Sequence, residues 1–211
     1  MNRIINFGAG PAMLPTSVME KAQQEFLNYK NMGASVIEIS HRSPEFEDII
    51  NHCDSMLRTL AEVPDNYKIL YVHGGAQMQF SAVPLNLINY RPARKASFVL
   101  TGNWAVKASK ETARYGNSIN VASSEGSNFD RIPDWNTDAL DQESSYAYIT
   151  SNNTLYGTRW HNFPDTGDVP LVADMTSEFL SRKIDISQFG VIFAGLQKNL
   201  GPAGLALVII R

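Results

Sequence analysis

Short apolar runs alternate along this chain with longer segments whose apolar positions recur every three or four residues. The runs at 67–72 (YKILYV), 96–100 (ASFVL), 118–123 (SINVAS), 145–150 (SYAYIT), 169–173 (VPLVA), 191–195 (VIFAG) and 205–210 (LALVII) predict strands, and 35–40 (SVIEIS) predicts another. Several are apolar throughout, the mark of a sheet covered on both faces. Residues 14–33 predict an amphipathic helix, with Pro15 near its start, Gly33 past its end, and Val18, Ala22, Phe26 and Leu27 at helical spacing. A second helix is predicted over 43–63, with Ser43 as N-cap, Pro44 at its first position and Glu45 and Glu47 in the first turn. Further helices begin near Gln77 and Trp104.

Strands separated by helices predict an α/β fold with a mainly parallel sheet covered by helices on both faces. The polar, turn-rich stretch 123–145 reads as a connection with one short helix. No internal repeat or low-complexity segment interrupts the pattern, and no second complete domain is expected within residues 1–211.

Composition narrows the partners. The formal net charge of −3 offers no basic face for nucleic acid. No run approaches the roughly 20 apolar residues needed to span a bilayer, and the N-terminus lacks a long apolar leader, so no membrane association and a cytoplasmic location are expected. Cys53 is the only cysteine, which excludes an intramolecular disulfide and a cysteine-rich metal site. Its place in a predicted helix suits a half-buried structural thiol.

In sheets of this kind ligands gather outside the carboxyl ends of the strands. Three features fall there. Gly74 and Gly75 follow a strand and precede a helix, a turn that lets the backbone approach a ligand and offers free N–H groups to an anion. The turn is neither a Walker loop nor a G-x-G-x-x-G fingerprint, and ordinary turn chemistry would account for it equally well. Asp174 ends the run VPLVA, either as a cap for the next turn or as a carboxylate aimed at a cation. Lys198 follows VIFAG between Gln197 and Asn199, either extending its stem to solvent or facing a ligand. A phosphate turn, an acid and a partly desolvated lysine are together what pyridoxal 5'-phosphate requires: the lysine forms an imine, the acid keeps the pyridine nitrogen protonated, and the turn holds the phosphate.

The stretches NFGAGPAMLP, SVIEISHRSPEF, HGGAQMQFSAVPLNL, GNWAVKA, VADMTSEFLSR and VIFAGLQKNLGPAGL also occur in one known order and spacing. On them the chain resembles, along its whole length, the phosphoserine aminotransferase family of fold type I, class V pyridoxal phosphate enzymes. The resemblance implies that Lys198 is the Schiff-base lysine and moves the proton at the substrate's α-carbon, and that Asp174 partners the pyridinium. It implies that Trp104 stacks on the cofactor ring, where composition alone suggests a plug between sheet and helix. Thr154 is implied near the ring hydroxyl, and Ala76, Gln77 and Gln197 on the phosphate side.

Arg42 is implied to bind the substrate α-carboxylate through its planar fork, beside the turn at Ala9. His41 is implied toward the substrate phosphate, or is simply a histidine at a helix entry. L-glutamate and 3-phosphohydroxypyruvate are the implied substrates, with O-phospho-L-serine and 2-oxoglutarate as products. A phosphorylated four-carbon oxo acid of pyridoxine biosynthesis is a further substrate in many bacterial members.

A homodimer with shared active sites is implied, together with a C-terminal domain that this chain lacks. Some relatives carry arginine where this chain has Gln77. Within the same cofactor class, an alanine-glyoxylate aminotransferase or a cysteine desulfurase is the nearest alternative, although a desulfurase needs a mobile catalytic cysteine. A catalytically inert fragment is a further one.

Overall fold

The computed structural model describes residues 3–211. Its strands are β1 (Lys68–His73), β2 (Lys95–Leu100), β3 (Asn117–Ser123), β4 (Ala147–Thr150), β5 (Asn152–Asn153), β6 (Thr158–Arg159), β7 (Leu171–Asp174), β8 (Val191–Gly195) and β9 (Leu205–Ile210). The α-helices are α1 (Thr16–Phe26), α2 (Pro44–Ala61), α3 (Gly75–Leu87) and α4 (Asn103–Thr112).

A seven-stranded sheet runs in the order β1-β9-β8-β7-β4-β2-β3, and β5 and β6 form a separate small ribbon. The pairs β2–β3, β2–β4, β4–β7 and β7–β8 are parallel. Only β9 runs the other way, antiparallel to both β8 and β1. The carboxyl ends of β1, β2, β4, β7 and β8 therefore share one edge of the sheet. This is the mainly parallel α/β architecture that the strand and helix pattern predicts.

The apolar runs are explained by two cores, one on each face. Along β7, Leu171 and Ala173 enter one cluster while Val172 enters the other, and along β8, Ile192 and Ala194 are opposed to Val191 and Phe193. The first face is closed by Leu57 and Ala61 of α2 together with irregular segments carrying Trp160, Phe179 and Phe189. The second is closed by Ala76, Phe80 and Val83 of α3 and by Ala105 and Ala108 of α4. Because both faces of each central strand are dry, alternation in the sequence vanishes there.

Helix α2 starts and stops for local reasons. The Ser43 hydroxyl accepts from the Phe46 N–H, and Glu45 and Glu47 lie where the helix dipole favours negative charge. At the other end Glu62 adopts a left-handed conformation, and Arg58 donates to the carbonyls of Pro64 and Tyr67. That guanidinium ties the end of α2 to the start of β1. Among the described residues no helix is long and apolar enough to cross a membrane.

Four local expectations are corrected. Residues 35–40 form a turn rather than a strand: Glu38 donates its N–H to the Ser35 carbonyl, and its carboxylate accepts the Ser35 N–H. These local bonds compete with a ladder, and Ile37 is 72% exposed, so the alternation of this run corresponds to no buried face. Helix α1 ends at Phe26, short of the expected length, and a 3-10 turn at Tyr29–Asn31 precedes Gly33. Cys53 is exposed rather than half-buried. The connection at 123–145 carries two short 3-10 turns, at Glu125–Ser127 and Thr137–Ala139.

Phe193 is fully buried and meets Phe80 edge-on and Tyr148 at a tilt, so it joins α3 to the sheet. Phe193→Ala is expected to lower unfolding free energy by about 3–5 kcal/mol in urea titrations; a loss under about 1 kcal/mol would show that this core repacks freely.

Candidate active site

The shared carboxyl edge brings five chain segments around one cavity of about 100 Å³, open to solvent. Ala76, Gln77, Trp104, Thr154, Asp174, Gln197 and Lys198 all line it. Seven residues scattered over 123 positions of sequence thus meet because β1, β2, β4, β7 and β8 end side by side.

The turn before α3 is set by backbone freedom. Gly74 and Gly75 both have positive φ, and a Cβ on Gly74 would lie 2.8 Å from that of Met78. Glycine is therefore required for the turn to close over its own helix. The first N–H groups of α3, at Gly75, Ala76 and Gln77, have no partner one turn earlier within the helix and are suited to an anion.

Trp104 stands in the first turn of α4, just after β2. Its Nε1 is buried without a hydrogen-bond partner, as is Thr150 Oγ1 at the end of β4. Both residues line the cavity, and such orphaned atoms fit a site shaped for a polar ligand. The loop after β4 is pinned beside Trp104: Thr101 donates to the Asn153 carboxamide oxygen at 3.0 Å, and the Tyr156 hydroxyl donates to Asn103 at 2.9 Å. This places Thr154 next to Lys198, whose Nζ donates to Thr154 Oγ1 at 2.5 Å and lies 5.6 Å from the Trp104 ring centre.

Asp174, the last residue of β7, is only 5% exposed. Burial raises its carboxyl above the usual range, while hydrogen bonds from Thr176 and the charge of Lys198 act against the rise. Lys198 is half-buried, and loss of solvent lowers its ammonium from the ordinary 10.5, with the Asp174 carboxylate opposing the shift. A buried acid and a lysine moved toward its neutral form share one cavity. The arrangement can hold a positively charged ring N–H at one end and present an amine to a carbonyl carbon at the other.

Residues 4–211 match the family described as aminotransferase class-V. The chain belongs to that family.

This class-V chain is 50% identical over 210 residues to a phosphoserine aminotransferase of Desulfotalea psychrophila, covering 100% of this chain and 57% of that protein. Among solved structures, phosphoserine aminotransferase from Bacillus circulans subsp. alkalophilus matches with a TM-score of 0.93 at 44% identity, over 99% of this chain and 57% of the other. PLP-bound phosphoserine aminotransferase from Trichomonas vaginalis matches with a TM-score of 0.89 at 39% identity, over 99% of this chain and 58% of the other. The class-V chain thus spans little more than half the length of the curated relatives it matches.

The remaining expected residues are placed differently. Ala9, His41 and Arg42 are exposed and do not line the cavity. The Ala9 segment is nevertheless adjacent to it: a Cβ on Gly10 would lie 3.1 Å from Lys198 Cγ, and the Ala12 N–H donates to the Gln197 carbonyl at 2.7 Å. His41 and Arg42 sit on the turn before α2, where the Arg42 N–H donates to Ser40 Oγ. Phe80, Thr150, Asn152, Thr176 and Ser177 line the cavity without having been singled out by the sequence pattern. For Thr176 a signal exists, since a hydroxyl residue two positions after an aspartate is common in side-chain-closed turns.

Competitive acetylation of the cofactor-free protein across pH, read by mass spectrometry, should give Lys198 a midpoint below 10.5. Asp174→Asn should move that midpoint lower still, because the carboxylate charge is what holds it up; an unchanged midpoint on this substitution would mean that the two groups are not electrostatically coupled.

Proposed function

We propose that the complete protein is a phosphoserine aminotransferase, moving the amino group of L-glutamate to 3-phosphohydroxypyruvate with pyridoxal 5'-phosphate as cofactor. The observation that carries this reading is that the buried Asp174 carboxylate and the half-buried Lys198 amine line one cavity, with the indole of Trp104 near the lysine. The relatives' names supply the substrate class.

When bound, pyridoxal phosphate supplies an aldehyde carbon for an amine to attack and a protonated pyridine ring that withdraws electrons from the substrate's α-carbon. The chain's residues do the rest. Asp174 accepts the ring N–H, and its burial strengthens that bond. Trp104, which lines the cavity, would supply a flat apolar face to the ring and exclude water from it. Gly75, Ala76 and Gln77 give backbone N–H groups to the phosphate, and Gln197 adds an amide. Thr154 accepts a hydrogen bond from Lys198 Nζ and so holds the amine at the cavity. Lys198, more readily neutral than an exposed lysine, would accept the proton from the substrate α-carbon and deliver it to the cofactor carbon on the far side of the imine nitrogen.

Arg42 binds the α-carboxylate in this reading, with Ala9 beside it and His41 toward the substrate phosphate. The protein works as a cytoplasmic homodimer with shared sites, and a phosphorylated four-carbon oxo acid of pyridoxine biosynthesis is a second substrate. Ile4, Ile5 and Phe7, at least 77% exposed here, suit cover by further chain or by a second copy.

The test is the visible spectrum of the complete protein with added pyridoxal phosphate, before and after glutamate. A lysine-dependent band that glutamate discharges is expected, and it should vanish in Lys198→Ala; retention of both band and turnover in that variant would remove the assignment. Arg42→Ala should raise the KM for glutamate roughly tenfold or more while leaving the cofactor band in place. An unchanged KM would locate the carboxylate site elsewhere.

A further inference from the structure

Asp174 does not hold its orientation alone. Thr176 Oγ1 donates to Asp174 Oδ1 at 2.6 Å, and the Thr176 backbone N–H donates to the same oxygen at 3.0 Å. The hydroxyl also accepts the Gly195 N–H at 3.1 Å. Because that contact occupies a lone pair on Oγ1, the single hydroxyl proton is committed to Asp174. Oδ1, which accepts both donors, carries no proton of its own and is the anchored oxygen, so Oδ2 is the one left to the cavity that Asp174 lines.

Gly195 is the last residue of β8 and stands three positions before Lys198. A Cβ there would lie 2.6 Å from Gln197 Oε1 and 3.1 Å from the Ala76 nitrogen, so the phosphate turn and the lysine turn touch at this residue. One hydroxyl therefore joins the strand end that carries the acid to the strand end that leads to the amine and the anion turn.

We propose that Thr176 is a positioning residue of this site: its hydroxyl anchors one oxygen of Asp174, leaves the other oxygen to the ring nitrogen, and ties the strand end that carries the acid to the one that leads to the lysine. The inference rests on the reading of the cavity as a pyridoxal phosphate site. The charged and titratable groups acting on Asp174 are Lys198, from the loop after β8, and Tyr148, from β4 beside it. Phe193, the partner of Asp174 in the β7–β8 register, is apolar. Of the neighbouring side chains, Thr176 alone donates a hydrogen bond to the carboxylate. Burial pushes the Asp174 carboxyl up and the Thr176 bonds are the largest effects against it, so their loss moves the group toward its neutral form, which could no longer hold a ring N–H as an ion pair.

The experiment compares the complete protein with Thr176→Val, which keeps shape and removes the hydroxyl, and Thr176→Ser, which restores it. In the cofactor-free proteins, carboxyl carbon NMR should show the Asp174 midpoint higher in the valine variant and near the parent's in the serine variant. With pyridoxal phosphate, the valine variant should bind roughly 10- to 100-fold more weakly, the range for losing a hydrogen bond to a charged group. The pH at which its visible band changes should also be shifted, and serine should rescue both. An Asp174 midpoint unmoved by valine, or left displaced by serine, would overturn the role of the hydroxyl. If the parent protein binds no pyridoxal phosphate while the NMR midpoints shift as expected, it is the cofactor reading that fails.

Discussion

A carboxylate at the dry end of a central strand is the constraint around which the rest of this molecule is arranged. Desolvating an ionised group costs several kcal/mol unless hydrogen bonds or opposite charge offset it. At Asp174 the offset comes from Thr176 and Lys198. Thr176 reaches it locally, two residues on, but Lys198 can reach it only because β7 and β8 are parallel neighbours ending at the same edge. Parallel order in turn requires crossovers, and the helices α3 and α4 that supply them bring the glycine turn and the tryptophan to that edge. The geometry of the cavity is thus a consequence of sheet topology more than of any one loop.

Much of this was readable from residues in a line. The two-sided strands were legible because uninterrupted apolar runs have few other uses, and Asp174 and Lys198 stood out because each breaks such a run at its carboxyl end. The glycine pair was legible as a turn but silent about its ligand, since the same dipeptide serves plain connections. The run 35–40 misled because its alternation resembles a strand, yet Ser35 and Glu38 close a turn through their own side chains. No local pattern distinguishes those outcomes when the deciding factor is whether a ladder partner lies alongside.

Thr176 and Asn152 were hidden for a different reason. Thr176 carries a local signal through its bond to Asp174, but its bridge to Gly195 exists only across strands, as does the exchange of hydrogen bonds between Asn152 and Ser177. Pairings of that range are set by register, which a single sequence expresses weakly. The exposed positions of His41 and Arg42 show the converse, since a spacing that matches a family does not by itself carry a side chain into the cavity of this chain.

The antiparallel strand β9 has a consequence for assembly during synthesis. In the sheet β1 pairs only with β9, with Lys68 opposite Ile210 and His73 opposite Leu205, and the Gly74 N–H is bonded to the Gly204 carbonyl. The glycine turn emerges from the ribosome about 130 residues before the strand that fixes it. Until that strand arrives, β1 and β8 both present open edges, and the anion-binding turn has no set distance from Lys198. The distance between the glycine turn and Lys198 is thus set by a long-range closure of the kind that slows folding.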